Sequence, residues 1–515
     1  MFGKAAHRQD RVGRRAFAGA LALAVAVVAG CAPVAQRPSA AGGDTAVAVT
    51  VVHLNDVYEI LPVEGGKVGG LARVATVVRE AKKSGAPVLT TLGGDYLSPS
   101  AIGTAIVDGR PLAGRQMVDV LNAVGLDWAT FGNHEFDVSE AAFRAHLAQA
   151  KFRIVSSNVT DADGHPFAGV PTSAIVPLEK GGRTVRIGLL GITMDGNVRP
   201  WVRYRDAIAA AKEEVSKLRG RVDAIVALTH LSIEQDTELV EAVPGIDLVL
   251  GGHEHENWIL YRGPFVPIVK ADANVRSLAI VTLAFGAPGS RPGVSSRLQP
   301  VDDTIASDPA VEAVAKVWVE RAFAGFSRQG FAPEALVAVS TEPLDGREGT
   351  VRNRTGRLTD LVAAAIAREG GNVDVAIFNS GSIRIDDVLP PGPITEYDVI
   401  RVLPFGGKIL RAGFDGDLLV RVLETGMNNE GNGGFLQTWG VRREKGTWLV
   451  QGKPVDPGRR YTVAILDFLL TGRETNLGFL ARTNPQVHDV TELRDVRRAV
   501  IEELARTYPA TSRVR

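Results

Sequence analysis

At 515 residues the chain is too long for one ordinary hydrophobic core, and its length implies about two to four domains. Its 58 lysines and arginines balance 58 aspartates and glutamates, which leaves no global field to draw it to nucleic acid polymers, so an anionic substrate must be held by local charge. Hydrophobic residues at 45% and charged residues at 23% exclude a disordered or membrane-embedded body, and a single cysteine excludes an internal disulfide.

The chain opens with Lys4, Arg8, Arg11, Arg14 and Arg15 ahead of the apolar run Ala16 to Ala29, which is too short to span a bilayer comfortably and has the layout of a signal peptide. The run ends in Val28-Ala29-Gly30-Cys31, which resembles a bacterial lipobox and makes Cys31 the expected site of lipidation. The pair Arg14-Arg15 leaves both the general and the twin-arginine export routes open. Residues 1–30 are therefore expected to be a signal peptide. Residues 31–45, rich in Ala, Pro, Ser and Gly, read as a flexible tether from the lipid to the body of the protein. The expected location is outside the cytoplasm, anchored to a bacterial membrane and facing the periplasm or the cell surface.

From Ala46 onward, β-branched runs alternate with helical patterns. Strands are predicted at Val47 to Val52, Pro87 to Leu92, Arg153 to Ser156, Val185 to Ile192, Asp223 to Leu228 and Asp247 to Leu250, and helices at Leu71 to Lys83 and Asp206 to Leu218. This alternation argues for βαβ units with buried sheets. The run Gly286 to Gly293 breaks the pattern and marks a candidate boundary near residues 285 to 335; the amphipathic stretch Asp308 to Phe323 within it reads as a connecting helix. A second α/β pattern begins near Leu336, with a helix at Leu358 to Arg368 and strands at Val373 to Phe378 and Tyr461 to Phe468. The expected division is 46–300, a linker helix region at 301–334, and 335–515.

Residues able to bind metal ions follow the hydrophobic runs of the first half. They are Asp56 in His53-Leu-Asn-Asp-Val-Tyr58, Asp95 in Gly93-Gly-Asp-Tyr96, and Asn133, His134 and Asp137 in Gly132-Asn-His-Glu-Phe-Asp137. His230 follows in Leu228-Thr-His-Leu231, and His253 and His255 in Gly251-Gly-His-Glu-His255. Taken singly, a histidine beside a strand is more often a hydrogen-bonded core residue, and Gly-Gly-Asp more often a turn. Five such pieces in order, each after a strand-like run, point instead to convergence at one edge of an α/β fold.

This order of motifs resembles the calcineurin-like metallophosphoesterases and, within them, the 5′-nucleotidase family, from about Val51 to Phe479. The resemblance implies an N-terminal four-layer αββα sandwich, a smaller C-terminal α/β domain that binds substrate, and a site in the cleft between them. It also implies two divalent or mixed-valence ions, Zn, Mn or Fe, about 4 Å apart. Asp95 would bridge them, Asn133, His230 and His253 would complete one site, and Asp56 and His255 would serve the other. His134 would stabilise developing charge, with Asp137 orienting its ring.

In the second half, Asn379-Ser-Gly-Ser-Ile-Arg384 and Leu403-Pro-Phe-Gly-Gly407 resemble family substrate motifs, which implies that Asn379 and Arg384 contact substrate and that Phe405 stacks on a base. By the same resemblance Phe468 is the second face of an aromatic clamp, Glu474 binds ribose hydroxyls, and Arg352 contacts substrate ahead of Arg354. Without the resemblance, Phe405 and Phe468 read as core, and Arg347, Arg352, Arg354 and Arg357 as a solvated basic loop.

The chain departs from the family pattern at Tyr58, where relatives carry a histidine, at the short segment from Arg352 to Leu358, and at Arg473-Glu474-Thr475. The implied activity is two-metal hydrolysis of phosphate esters, with 5′-nucleotides as substrates. The alternatives are a related phosphoesterase acting on cyclic nucleotides, nucleotide sugars or another ester, and a binding lipoprotein with a decayed metal site.

Overall fold

The computed structural model describes residues 46–510, so the signal peptide, Cys31 and the whole tether lie outside the described residues. Two six-stranded sheets make up the first half. In the first, the strands Val47–Leu54, Val88–Leu92, Trp128–Ala129 and Arg153–Ile154 run parallel, and Ser277–Phe285 and Gly293–Pro300 add an antiparallel edge. In the second, Arg183–Thr193, Ala224–His230, Leu248–Gly251 and Val266–Lys270 run parallel, flanked by the antiparallel strands Ser173–Lys180 and Trp258–Arg262.

Strand periodicity sorts the side chains into layers. Val47, Val49 and Val51 meet Ile187, Leu189, Val226 and Leu250 in the core between the sheets. The alternate residues Val52 and Leu54 face outward, under a helical layer that includes Leu71, Val74, Met117, Leu121 and Phe143. Across the second sheet, Leu190 and Ile192 pack beneath Ala211 and Val215 of the helix Ala207–Leu218 and Leu239 of the helix Ile233–Ala242. Helix, sheet, sheet and helix follow in order, which is the expected αββα sandwich.

Two sequence readings need correction. The Gly286–Gly293 run does not interrupt the fold, because Ser277–Phe285 and Gly293–Pro300 pair as a hairpin around it. Glycine and proline there supply a turn between neighbouring strands. The helix Pro309–Arg328 is also more than a connector. Asp308 caps it by accepting hydrogen bonds from the amides of Ala310 and Val311, and Val311, Trp318 and Phe326 join the outer helical core of the first sheet.

The second half is built on a five-stranded sheet in the order Leu436–Trp439, Val375–Asn379, Arg460–Leu466, Lys408–Asp415 and Val487–Asp495. The helices Arg357–Gly370 and Val496–Thr507 cover one face, and Gly416–Asn428 covers the other. Among the described residues, no helix is long and apolar enough to cross a membrane.

Candidate active site

The parallel strands of both N-terminal sheets end at the same edge, and the loops that leave them carry the predicted metal donors. Asp56 follows Val47–Leu54, Asp95 follows Val88–Leu92, Asn133 follows Trp128–Ala129, His230 closes Ala224–His230, and His253 and His255 follow Leu248–Gly251. Donor atoms of Asp56, Asp95 and His230 all lie within 4.8 Å of one another. His230 Nε2 lies 3.3 Å from Asp95 Oδ2 and 3.1 Å from Asn133 Oδ1, while its Nδ1 lies 2.8 Å from the Gly93 carbonyl. The His253 amide donates to Asp56 Oδ2 at 2.9 Å, and the His253 ring stands edge-on to His230 with centroids 5.3 Å apart.

The glycines of these motifs let the backbones of the two sheets close up. A side chain at Gly93 would run into the Gly251-Gly252 backbone at 2.8 to 2.9 Å, and one at Gly132 would overlap the Asp95 carboxylate. Asp56, Asp95 and His253 themselves hold left-handed backbone conformations, with φ of 37°, 55° and 83°. Such costly geometry concentrates where a site fixes its side chains.

The carboxylates of the site are buried. Asp56 and Asp95 are 0% and 1% exposed. Burial pushes Asp56 up to about 6. Against the same burial, His230 and His134 hold the Asp95 carboxyl well below the usual range. Burial also brings His253 down to about 3, which keeps it a neutral imidazole able to donate to a metal ion. Two buried carboxylates, an amide oxygen and three imidazoles form a mixed nitrogen and oxygen donor set that fits divalent transition metals.

Tyr58 turns into this ring. Its hydroxyl lies 3.1 Å from Asp56 Oδ1, Asp95 Oδ2 and His255 Nε2, and it can donate its one proton to either carboxylate. Burial, with Asp95 and Asp56 alongside, raises the phenol well above its ordinary value.

His134 and Asp137 share one short helical turn, with His134 Nδ1 2.5 Å from Asp137 Oδ2. Phe136, fully buried between them, anchors the turn edge-on or tilted against Phe131, Phe143 and Trp201. Each such aromatic pair adds about 0.5 to 1.5 kcal/mol beyond area burial. Sequence reasoning missed the loop that holds the dyad from the other side: Asn197 donates to Asp137 Oδ1 at 3.0 Å and Arg199 does so at 3.1 Å. It also missed Glu135, whose buried carboxylate accepts hydrogen bonds from the amides of Asp95, Tyr96, Leu97 and Gly132 and so ties two motif loops together. The acidic position in the Gly-Asn-His-Glu motif was the only available signal; Asn197 and Arg199 sit in a loop with none.

A cleft of about 1060 Å³ joins the donors to the second half of the chain. Asp95, Asn133, His134 and His253 line one side, and Arg352, Asn379, Arg384, Phe405, Phe468 and Glu474 the other. Phe405 and Phe468 are 55% and 42% exposed, which rules out the reading of them as core. Asn379 donates to Glu474 Oε2 at 2.7 Å, and the Arg384 guanidinium stands 5.9 Å from the Phe405 ring centre. Of the four arginines near residue 350, Arg352 alone lines the cleft, paired with Glu348. Arg347 pairs with Asp345, Arg357 with Glu342, and Arg354 is exposed.

Comparison with known proteins agrees with this geometry. Residues 49–257 match the calcineurin-like phosphoesterase family, and residues 336–479 match the 5′-nucleotidase C-terminal domain. The chain is 27% identical over 477 residues to a snake venom 5′-nucleotidase from Naja atra, covering 82% of this chain and 85% of that protein. It is 28% identical over 478 residues to a Homo sapiens 5′-nucleotidase, covering 82% and 78%. The fold superposes on a 5′-nucleotidase precursor from Thermus thermophilus with a TM-score of 0.73 at 22% identity, covering 90% of this chain and 97% of the other.

Proposed function

Since the chain is a metal-dependent phosphoric ester hydrolase that joins a calcineurin-like phosphoesterase domain to a 5′-nucleotidase C-terminal domain, we propose that it converts 5′-nucleotides to nucleosides and phosphate. The observation that carries this reading is the cleft itself, with a metal-donor ring on one wall and two exposed phenyl rings beside Arg384, Asn379 and Glu474 on the other. Asp95 would bridge two ions, with Asn133, His230 and His253 on one and Asp56, His255 and Tyr58 on the other. Those ions supply Lewis-acid activation and a clamp on the phosphate oxygens. The protein's own residues do the rest. Arg352 and Arg384 bring positive charge to the anionic ester, Phe405 and Phe468 stack on the base, and Glu474 receives ribose hydroxyls. His134, its Nδ1 engaged by Asp137, keeps Nε2 for the charge that develops as the ester bond breaks.

Phosphate release is to be measured over nucleoside monophosphates, cyclic nucleotides, nucleotide sugars and p-nitrophenyl phosphate with added Mn, Zn or Fe. Nucleoside monophosphates are expected to be preferred, with broad tolerance of the base, because every base offers a face to stack on. A preference for cyclic nucleotides or nucleotide sugars would replace this reading with the corresponding phosphoesterase. Stacking is worth about 1 to 3 kcal/mol per base. Phe405→Ala and Phe468→Ala are therefore expected to raise KM for nucleotides about 5- to 150-fold while leaving p-nitrophenyl phosphate nearly unchanged. Equal losses on both substrates would make the rings structural only.

The place of the Tyr58 hydroxyl, 3.1 Å from three donors, supports a role as an oxygen ligand. A phenol held neutral by burial surrenders its proton best to a hard, highly charged ion, which favours ferric iron. Aerobically purified protein is expected to show a broad visible charge-transfer band that Tyr58→Phe removes. An iron-loaded, active protein without such a band would exclude ligation by Tyr58.

We further propose export and lipid anchoring through Cys31, supported by the order of basic, apolar and Val-Ala-Gly-Cys segments. Wild type is expected to incorporate labelled palmitate and Cys31→Ser to incorporate none; an unlabelled wild type would overturn the anchor.

A further inference from the structure

One metal donor is held from the other half of the chain. His255 lies in the N-terminal domain, yet its Nδ1 lies 2.8 Å from Oδ2 of Asp386, in the loop that follows Arg384. Asp386 is 6% exposed and fully partnered. Its Oδ1 accepts the Glu348 amide at 2.8 Å, its carbonyl accepts Arg276 Nη1 at 3.3 Å, and the Arg276 guanidinium lies 3.6 Å from its carboxylate. Arg276 donates in turn to the His255 carbonyl at 3.2 Å, so the imidazole and its own backbone are fixed by one junction. Asp386 takes a left-handed backbone conformation, φ 41°, to reach this place.

We propose that Asp386 is a positioning residue for the metal centre, completing from the C-terminal domain a site whose donors all lie in the N-terminal domain. An imidazole has two nitrogens, and the partner of one decides what the other can do. With Nδ1–H donated to Asp386, the lone pair of His255 is confined to Nε2, the nitrogen that faces Tyr58 and lies 3.8 Å from Asp56. The carboxylate also makes the ring a stronger donor and removes its rotational freedom. No other side chain within hydrogen-bonding distance holds His255 Nδ1 among the described residues, since Glu348 Oε2 stands off at 3.8 Å.

Position along the chain couples this contact to the cleft. Asp386 is two residues from Arg384 and seven from Asn379, so the loop that reaches into the cleft also grips a metal donor. The neighbouring Asp387 is spent differently, on a buried ion pair with Arg401 at 2.7 Å, while Arg401 Nε approaches Glu59 at 3.4 Å. Asp387 therefore serves as a control that disturbs the same interdomain seam without touching His255.

Mn(II) binding to the full-length protein, followed by calorimetry and electron paramagnetic resonance, tests the proposal without relying on turnover. Losing the partner of a ligating histidine typically costs 10- to 100-fold in metal affinity. Asp386→Asn is expected to weaken one of two Mn(II) sites by that factor and to replace a coupled two-ion signal with that of a single ion. Asp387→Asn is expected to keep both sites. Unchanged affinities and signal in Asp386→Asn, or equal weakening in both variants, would overturn the assignment. Should Asp386→Asn fold poorly, long-range ¹H–¹⁵N spectra of the Zn-loaded wild type decide the matter. His255 protonated at Nδ1 and bound through Nε2 upholds the proposal, and binding through Nδ1 ends it.

Discussion

Exhaustive chelation is expected to lower phosphate release by at least about 10³-fold, and re-addition of Mn, Zn or Fe to restore it. The loss follows from charge. Asp95 is buried in the wall of the cleft, and of the arginines that line it, Arg352, Arg384, Arg473 and Arg482 belong to the second half of the chain, while Arg199 is paired with Asp137. Without metal, the approaching phosphate dianion meets an ionised Asp95, held in that form by His230 and His134. Like unit charges 4 Å apart cost on the order of 4 kcal/mol at an effective dielectric of 20, which is about a thousandfold in rate. The same stripped site also lacks a Lewis acid. Phosphate release persisting in protein shown by mass spectrometry to be metal-free would remove the metal centre from the reaction.

His134→Ala is expected to lower kcat by roughly 10²- to 10³-fold with metal content unchanged, the usual scale for losing one preorganised charge-stabilising group. Both halves of that expectation come from geometry. The His134 ring makes its close contacts with Asp137 and Asn197, so truncation removes no metal donor. What ties His134 to the metal ring is its backbone amide, which donates to Asp95 Oδ1 at 2.8 Å and survives in alanine. KM for nucleotides should move little, because the residues proposed to hold the base and ribose lie on the other wall of the cleft. A variant that loses metal together with activity would turn His134 into a structural support of Asp95, and one that keeps full turnover would remove it from the chemistry.

Much of this molecule is legible in its sequence because the relevant physics is local. Valine- and leucine-rich runs of strand length fit a sheet buried on both faces, and Asp206 and Asp308 sit at the starts of their helices because a carboxylate there satisfies free amides. The metal motifs are readable for a related reason. Close approach of two backbones demands glycine beside Asp95, Asn133 and His253, so chemistry and steric need coincide in short strings. The limits appear where partners are distant in sequence. A Gly-Pro-rich stretch looks like a boundary until Ser277–Phe285 and Gly293–Pro300 are seen to pair around it. Phe405 and Phe468 have the composition of core, and only their exposure in the cleft separates them from it. Tyr58 reads as a missing ligand, yet the fold turns its hydroxyl into the donor ring. Asn197, Arg199 and Asp386 carry no motif at all. Each reaches Asp137 or His255 by a hydrogen bond from a loop 60 to 131 residues away in sequence, and such a contact exists only once the sheets and the two domains are in place.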